Sequence, residues 1–282
     1  MNNSDYRVLV TGAGGLLGKY LVKVLEEANI IFFAYNKVSL DITDLDSLHS
    51  TIEPLNLTHI INCAAYTNVA KAEIDRDLCY EVNVLGVQNL IEVSNEMDIE
   101  LIQISTDYVF DGMSEDGVYY PDSEKKPLNY YGLTKSLAED LILSYANAWK
   151  IIRTSWLFGL SENNFVSKII NSSIKGNTIL VNDIEVGVPT YGFDLAHAII
   201  IYLHYDNGIY HITNTGSASR FQYAEHILKL TTYGEILVNN ELSDDVKRPP
   251  KVILHIPTDL EMRPWSDSLS EYLSNWKSLI DA

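Results

Sequence analysis

A doubly wound, Rossmann-type parallel α/β sheet carrying a smaller C-terminal substrate lobe is the fold that the sequence predicts. Three observations predict it. Five short runs are apolar almost without interruption, stretches of helical periodicity separate them, and a glycine-rich turn joins the first run to the first helix. Strands that are apolar on both faces belong to parallel sheets covered by helices. Crossovers of that kind are right-handed.

The elements follow in order. RVLVT (7–11) is a buried strand, then come glycines and an amphipathic helix through LLGKYLVKVLEE. IIFFAY (30–35) is the second strand, and DITDLDSLHSTI reads as an Asp-capped helix. HIINCAA (59–65) is the third, followed by a long helical pattern from about Asp75 to Met97. ELIQIST (100–106) is the fourth, leading through a loop rich in Asp, Gly and Pro to a helix from about Asn129 to Ala146. KIIRTS (150–155) is the fifth. Residues 1–160 are read as an NAD(P)-binding domain and 161–282 as the substrate lobe, with a helix near 192–204 packing back on the sheet.

A chain of 282 residues with 46% hydrophobic and 21% charged residues has the material for a large core. The net charge of −18 argues against nucleic-acid and anionic-membrane partners, which need a cationic face. No apolar run approaches the roughly 18 residues of a membrane span. The start of the chain enters a strand by Arg7, leaving no room for a secretory signal, so a cytoplasmic location is expected. Two cysteines, Cys63 and Cys79, make no disulfide framework, and no metal spacing is present. A homodimer is the expected assembly, although no residue pattern specifies it. A phosphate-bearing substrate would need local cations, and Arg153, Lys168, Arg220, Arg248 and Lys251 are scattered candidates, most of which read as solvated surface charge.

VLVTGAGGLLG sets Gly12, Gly15 and Gly18 in a GxxGxxG pattern between strand and helix, the context that makes such a motif specific. Absent side chains let the backbone reach a pyrophosphate, whose charge then faces the helix N-terminus. Gly12, Gly14, Gly15, Leu16, Leu17 and Gly18 are therefore the expected cofactor turn. The acidic residue that would bind the ribose of NAD is missing from the end of the second strand, where Tyr35, Asn36 and Lys37 stand. Lys37 can hold a 2′-phosphate, so NADP(H) is preferred and NAD(H) is the alternative.

NYYGLTK (129–135) pairs a tyrosine with a lysine four residues on. Of 18 tyrosines only Tyr131 has that partner, and residues four apart share a helix face, whereas Tyr130 turns away. An ammonium about 4 Å from the phenol, at an effective dielectric of about 20, is worth roughly 4 kcal/mol. That is enough to bring a phenol from about 10 towards about 7. The pair suits protonation of an alkoxide as hydride reaches a carbonyl.

The glycine turn, IST at the end of strand four and Tyr131-x-x-x-Lys135 together resemble the extended short-chain dehydrogenase/reductases. Within them, CAAYTNVAKAE (63–73), ISTDYVFDG (104–112), NYYGLTK, IIRTSWLFG (151–159), NNFV (163–166), GVPTY (187–191) and RPP (248–250) resemble the dTDP-4-dehydrorhamnose reductases. RPWSDSL (263–269) extends the likeness more faintly. The resemblance implies that Thr106 is the third catalytic member beside Tyr131 and Lys135; the residues alone leave Ser105 an equal candidate. It implies that Asn83 lines a proton path beside the lysine. It gives Asp41 and Ile42 to the adenine and Ala64, Ala65 and Tyr66 to the strand edge beneath the dinucleotide. Asp107, Tyr108, Trp156, Asn164 and Arg248 fall to the nucleotide-sugar substrate, with Tyr108 and Trp156 in the sugar pocket.

The implied reaction is NAD(P)H-dependent reduction of the C4 keto group of a nucleotide-activated 4-keto-6-deoxyhexose, dTDP-4-dehydro-L-rhamnose to dTDP-L-rhamnose. Dehydratases of the superfamily need an Asp–Glu pair after the threonine, whereas here Tyr108 follows Asp107. A nucleotide-sugar epimerase and a non-catalytic NADP-binding regulatory subunit remain as alternatives. Three positions depart from the family pattern: Ala70 for aspartate, Ile184–Glu185 for Asp–Gln before GxPT, and KRPPKV in the C-terminal lobe, which lacks the usual Asn/Lys-Ser after RPx. The second sets a carboxylate near the substrate.

Overall fold

The computed structural model describes residues 5–161, 164–231, 236–238 and 246–280. The central sheet has six strands: β1 (Arg7–Thr11), β2 (Ile31–Tyr35), β3 (His59–Asn62), β4 (Glu100–Thr106), β5 (Trp149–Thr154) and β6 (Gly208–His211). Their spatial order is β6-β5-β4-β3-β1-β2, and every pairing is parallel. The chain leaves β1 for β2 on one side and returns to β3 on the other. That reversal opens a crevice at the C-terminal strand ends, where ligands of such sheets bind.

The apolar runs divide between two cores by the alternation of side chains along a strand. Val8, Val10, Ile61, Ile102 and Ile152 enter one core with the helix Leu16–Glu27 and the helix Gly192–Tyr202. Leu9, Ile60, Leu101 and Ile151 enter the other, under the helices Leu45–Ile52 and Gly86–Glu96 and beside Ala138 and Ile142. Asp44 caps the helix Leu45–Ile52 by accepting from the Ser47 N–H at 3.0 Å.

Two features differ from the linear reading. The helical stretch between Asp75 and Met97 is broken into Arg76–Tyr80, a π-turn at Glu81–Leu85 and Gly86–Glu96. Asn83 lies in that π-turn, whose wider spacing carries no signature in hydrophobic periodicity. The sixth strand, β6, comes from the NGIYHITNTGS stretch and pairs with β5, so the central sheet draws on chain beyond residue 160. Outside it, Val118–Tyr119 pairs with Ile253–Leu254, and Val186–Gly187 pairs antiparallel with Ala218–Ser219. No helix among the described residues is long and apolar enough to cross a membrane.

Gly12 shows why the first turn needs glycine. Its φ is +64°, and a β-carbon there would sit 2.6 Å from the Ala64 nitrogen at the end of β3. The turn is thereby seated against the strand that flanks the crevice. Gly12→Ala is expected to lose roughly 1–3 kcal/mol of stability without cofactor, read as a lower urea midpoint at unchanged slope; an unaltered midpoint contradicts the close approach.

Candidate active site

A cleft of about 1380 Å³ opens over the C-terminal ends of β1, β3, β4 and β5. Gly15, Leu16, Leu17 and Gly18 line one part of it, with Ala64 and Ala65 opposite. Gly15 is the N-cap of the helix Leu16–Glu27, offers no side-chain cap, and no acidic residue sits in the first turn. The first N–H groups therefore face a ligand without competition, and the helix dipole favours an anion there. The backbone of Gly18 lies so near Gly12 that a β-carbon would stand 2.5 Å from the Gly12 carbonyl oxygen. This cradle fits a dinucleotide pyrophosphate.

The other expected cofactor residues, Gly12, Gly14, Lys37, Asp41, Ile42 and Tyr66, do not themselves line the cleft. Gly12 and Gly14 shape the turn, and Lys37 is exposed just beyond β2, in a turn where the Asn36 side chain accepts from the Val38 N–H at 2.9 Å. Asp41 accepts from Thr43, N–H and hydroxyl, at 3.0 and 2.9 Å. Ile42 is buried in the second core against Gly86, and its carbonyl accepts from the Asn89 amide at 3.0 Å. The Tyr66 hydroxyl donates to Asp75 at 2.8 Å.

Tyr131 and Lys135 both line the cleft from one face of the helix Tyr130–Tyr145, whose N-cap is Asn129. Tyr130 points elsewhere: its N–H donates to Glu73 at 2.7 Å and the Arg76 guanidinium covers its ring at 4.9 Å. The electrostatics correct the expectation of a lowered phenol. Burial pushes Tyr131 above its ordinary value, opposed by the Thr106 hydroxyl and reinforced by Asp107 and Tyr108. The Lys135 ammonium is spent on the Ile104 carbonyl oxygen, to which it donates at 2.7 Å. Burial lowers Lys135 to about 8, against the raising effect of Glu139, one helical turn further on. Desolvation outweighs attraction because both groups are withdrawn from water. Tyr131 thus keeps its proton through the neutral range.

The strand decides between Ser105 and Thr106. Ser105 donates to the fully buried Glu139 carboxylate at 2.6 Å, on the face shared with its register partner Arg153. Arg153 donates to both Glu139 oxygens, at 3.0 and 2.7 Å, so the sequence's candidate phosphate cation is a buried structural one. Thr106 instead faces the Tyr131 phenol and donates to Asp107 at 3.0 Å. Beside it on β5, the Thr154 hydroxyl is buried, lines the cleft and has no hydrogen-bond partner among the described residues. The sequence reading missed Thr154; its only signal is its register opposite Thr106.

Asn83 does not line the cleft. Its amide accepts from the Tyr66 N–H at 2.8 Å and donates to the Tyr66 carbonyl at 3.1 Å and the Thr134 hydroxyl at 3.0 Å. Its side chain is a positioning group that joins the third-strand edge to the tyrosine–lysine helix. Asn164 is likewise committed: it donates to the Gly159 and Ser161 carbonyls at 2.9 and 2.7 Å and caps the helix Phe165–Ile174. Asn163 of the NNFV motif lies outside the described residues.

At the remaining part of the cleft Lys168, Arg220, Lys247 and Arg248 gather beside the acids Asp107 and Glu185. Asp107 is pushed up to about 7 by burial, with Thr106 and Arg220 opposing. Trp156 has a left-handed backbone, φ +42°, and its ring leans on Gly187, where a β-carbon would come within 2.5 Å. The Arg220 guanidinium lies 3.5 Å above that ring, so the indole face expected for the sugar is capped by a cation. The only metal-like grouping among the described residues, His49 with Glu92 and Glu96, lies outside this cleft.

A parallel sheet with a strand-crevice cleft, an uncapped glycine-rich helix start and a Thr/Tyr/Lys set define a Rossmann-type short-chain dehydrogenase/reductase. The chain belongs to the RmlD substrate binding domain family, which it matches over residues 6–278. It is 32% identical to the spore coat polysaccharide biosynthesis protein SpsK of Bacillus subtilis, over 98% of this chain and 99% of that one. It is 36% identical to the dTDP-4-dehydrorhamnose reductase of Aggregatibacter actinomycetemcomitans, over 83% and 82%. A crystal structure of dTDP-4-dehydrorhamnose reductase from Bacillus anthracis in complex with NADP superposes with a TM-score of 0.90 at 33% identity, covering 96% of this chain and 98% of that one.

Lys135 gives a test that needs no substrate. Its unfolded value is 10.5 and its folded value about 8, so between those pH values the unfolded chain binds more protons. The lysine's unfavourable contribution is complete below about pH 8 and is relieved as pH rises towards 10.5. The stability of the wild type relative to Lys135→Met is expected to increase across that window in chemical denaturation; a pH-independent difference contradicts the burial.

Proposed function

We propose that this chain is an NADPH-dependent reductase of the C4 keto group in a nucleotide-activated 4-keto-6-deoxyhexose, with dTDP-4-dehydro-L-rhamnose to dTDP-L-rhamnose as the reaction it fits best. One observation carries the reading: Thr106, Tyr131 and Lys135 converge at the end of β4, across the cleft from a turn built for a pyrophosphate. Family membership supports it, as does the NADP bound to the B. anthracis protein.

A dinucleotide held at the helix start by Gly15, Leu16, Leu17 and Gly18 would supply the hydride. The chain's own residues handle the oxygen and its proton. The Thr106 hydroxyl, turning from Asp107 to the substrate, holds the carbonyl oxygen by a hydrogen bond, and the protonated Tyr131 phenol donates to the same oxygen as it becomes an alcohol. With or without that shift the phenol is protonated in the neutral range, so it reaches the reaction able to donate. Lys135 fixes the helix to Ile104 and presents its remaining N–H donors beside the cofactor's cleft. Ala64 and Ala65 leave space along the edge of β3 where larger side chains would intrude. Lys168, Lys247 and Arg248 supply cations for the substrate's diphosphate in a chain of net charge −18.

The direct test is loss of NADPH absorbance with dTDP-4-keto-6-deoxy sugars. Turnover is expected; bound cofactor without turnover across several such sugars refutes reduction. Tyr131→Phe is expected to cut turnover by about 10² or more while NADPH affinity stays nearly intact, and unchanged turnover rejects it as proton donor. Lys37→Ala is expected to weaken NADPH and spare NADH; equal effects on both remove Lys37 from the 2′-phosphate.

A further inference from the structure

Glu185 is the departure from the family pattern that the reaction above does not use. It is 5% exposed, lies in the cleft wall and is held in place. The Asn182 amide donates to it at 3.0 Å, the Arg220 Nε–H donates to it at 3.2 Å, and Arg248 stands 3.9 Å away. A backbone bond from the Arg220 N–H to the Glu185 carbonyl, 3.0 Å, locks the two residues together through the strands Val186–Gly187 and Ala218–Ser219. Arg220 is then laid flat on Trp156, with Phe165 at 5.1 Å. Its Nε–H is spent on Glu185. Its Nη groups have no hydrogen-bond partner among the described residues, although only 15% of the side chain is exposed.

The geometry points to Arg220 as the residue that reads a ring oxygen substituent of the sugar, with Glu185 as the positioning residue that orients its guanidinium. The ligand class is the neutral hexose part of the nucleotide sugar, not its diphosphate, and the inference rests on the functional reading above. Two observations separate these targets. The Glu185 carboxylate pairs with Arg220 at 3.2 Å and only at 3.9 Å with the half-exposed Arg248, so Arg220 has little net charge to attract an anion, whereas Lys168 and Lys247 carry no ion pair among the described residues. Arg220 also acts electrostatically on Asp107 and Tyr108, the residues that follow Thr106, which sets it beside the reacting end of the substrate. A planar guanidinium stacked on indole keeps its edge donors fixed, which lysine would not.

The experiment compares full-length wild type, Arg220→Met and Glu185→Gln by steady-state NADPH oxidation with a dTDP-4-keto-6-deoxyhexose, and by competitive inhibition with dTDP alone. Arg220→Met is expected to lower kcat/KM about tenfold or more, the scale of a lost charge-assisted hydrogen bond, with the dTDP inhibition constant unchanged within about twofold. Glu185→Gln is expected to lower kcat/KM and to tighten dTDP, because a cation loses its counter-charge; Glu185→Asp restores part of the loss. Retained NADPH binding certifies folding, and Arg220→Gln replaces Arg220→Met where that binding fails. Unchanged kcat/KM overturns the inference, as does dTDP affinity falling in step with kcat/KM, which assigns Arg220 to the diphosphate. A wild type that turns over no such sugar refutes the functional reading instead.

Discussion

A carboxylate with no exposed surface, Glu139, holds the active-site frame together, tying the tyrosine–lysine helix to two neighbouring strands. Ser105 on β4 and Arg153 on β5 both donate to it, and Lys125 closes the far side at 3.3 Å. Leaving any of these charges uncompensated in the interior would cost several kcal/mol. The network therefore fixes the helix relative to the strand ends, and with it the separation between Tyr131 and Thr106. It also puts a negative charge one turn from Lys135, opposing the desolvation that drives the lysine towards neutrality. The catalytic chemistry is thus set from behind the sheet as much as from within the cleft.

A second level of order lies in which polar groups the fold consumes and which it leaves over. Ser105, Asn83, Asn164 and Arg153 all have chemically suitable side chains near the site, and all are committed to protein partners. The groups left for a ligand are fewer: the helix start at Gly15, the Thr154 hydroxyl and the Nη edge of Arg220, beside a Tyr131 phenol that meets the Thr106 hydroxyl. Buried polar groups without partners are costly. Among the described residues, the one such buried side-chain group that lines the cleft is the Thr154 hydroxyl.

Charge is partitioned in the same way. A net charge of −18 repels anions over the molecule, yet the substrate end of the cleft collects four cations against two acids. One of those acids neutralises Arg220, which divides the cluster into a charged part suited to phosphate and a balanced pair suited to hydroxyl groups. On the proposed function, electrostatic attraction and recognition of the sugar are carried by different residues.

The sequence by itself determined the strand runs, the glycine turn, the Asp44-capped helix and the tyrosine–lysine pair. Each depends on side-chain alternation, helix periodicity or backbone freedom, which are local properties. Only the tertiary structure decided that β6 joins the sheet, that Thr106 and not Ser105 faces the phenol, and that a π-turn carries Asn83. It also reversed the shift of Tyr131, because desolvation depends on everything that surrounds a group, while a four-residue spacing reports only one neighbour. The Glu185–Arg220 pair spans 35 residues and meets through two short antiparallel strands, a contact that no local pattern encodes.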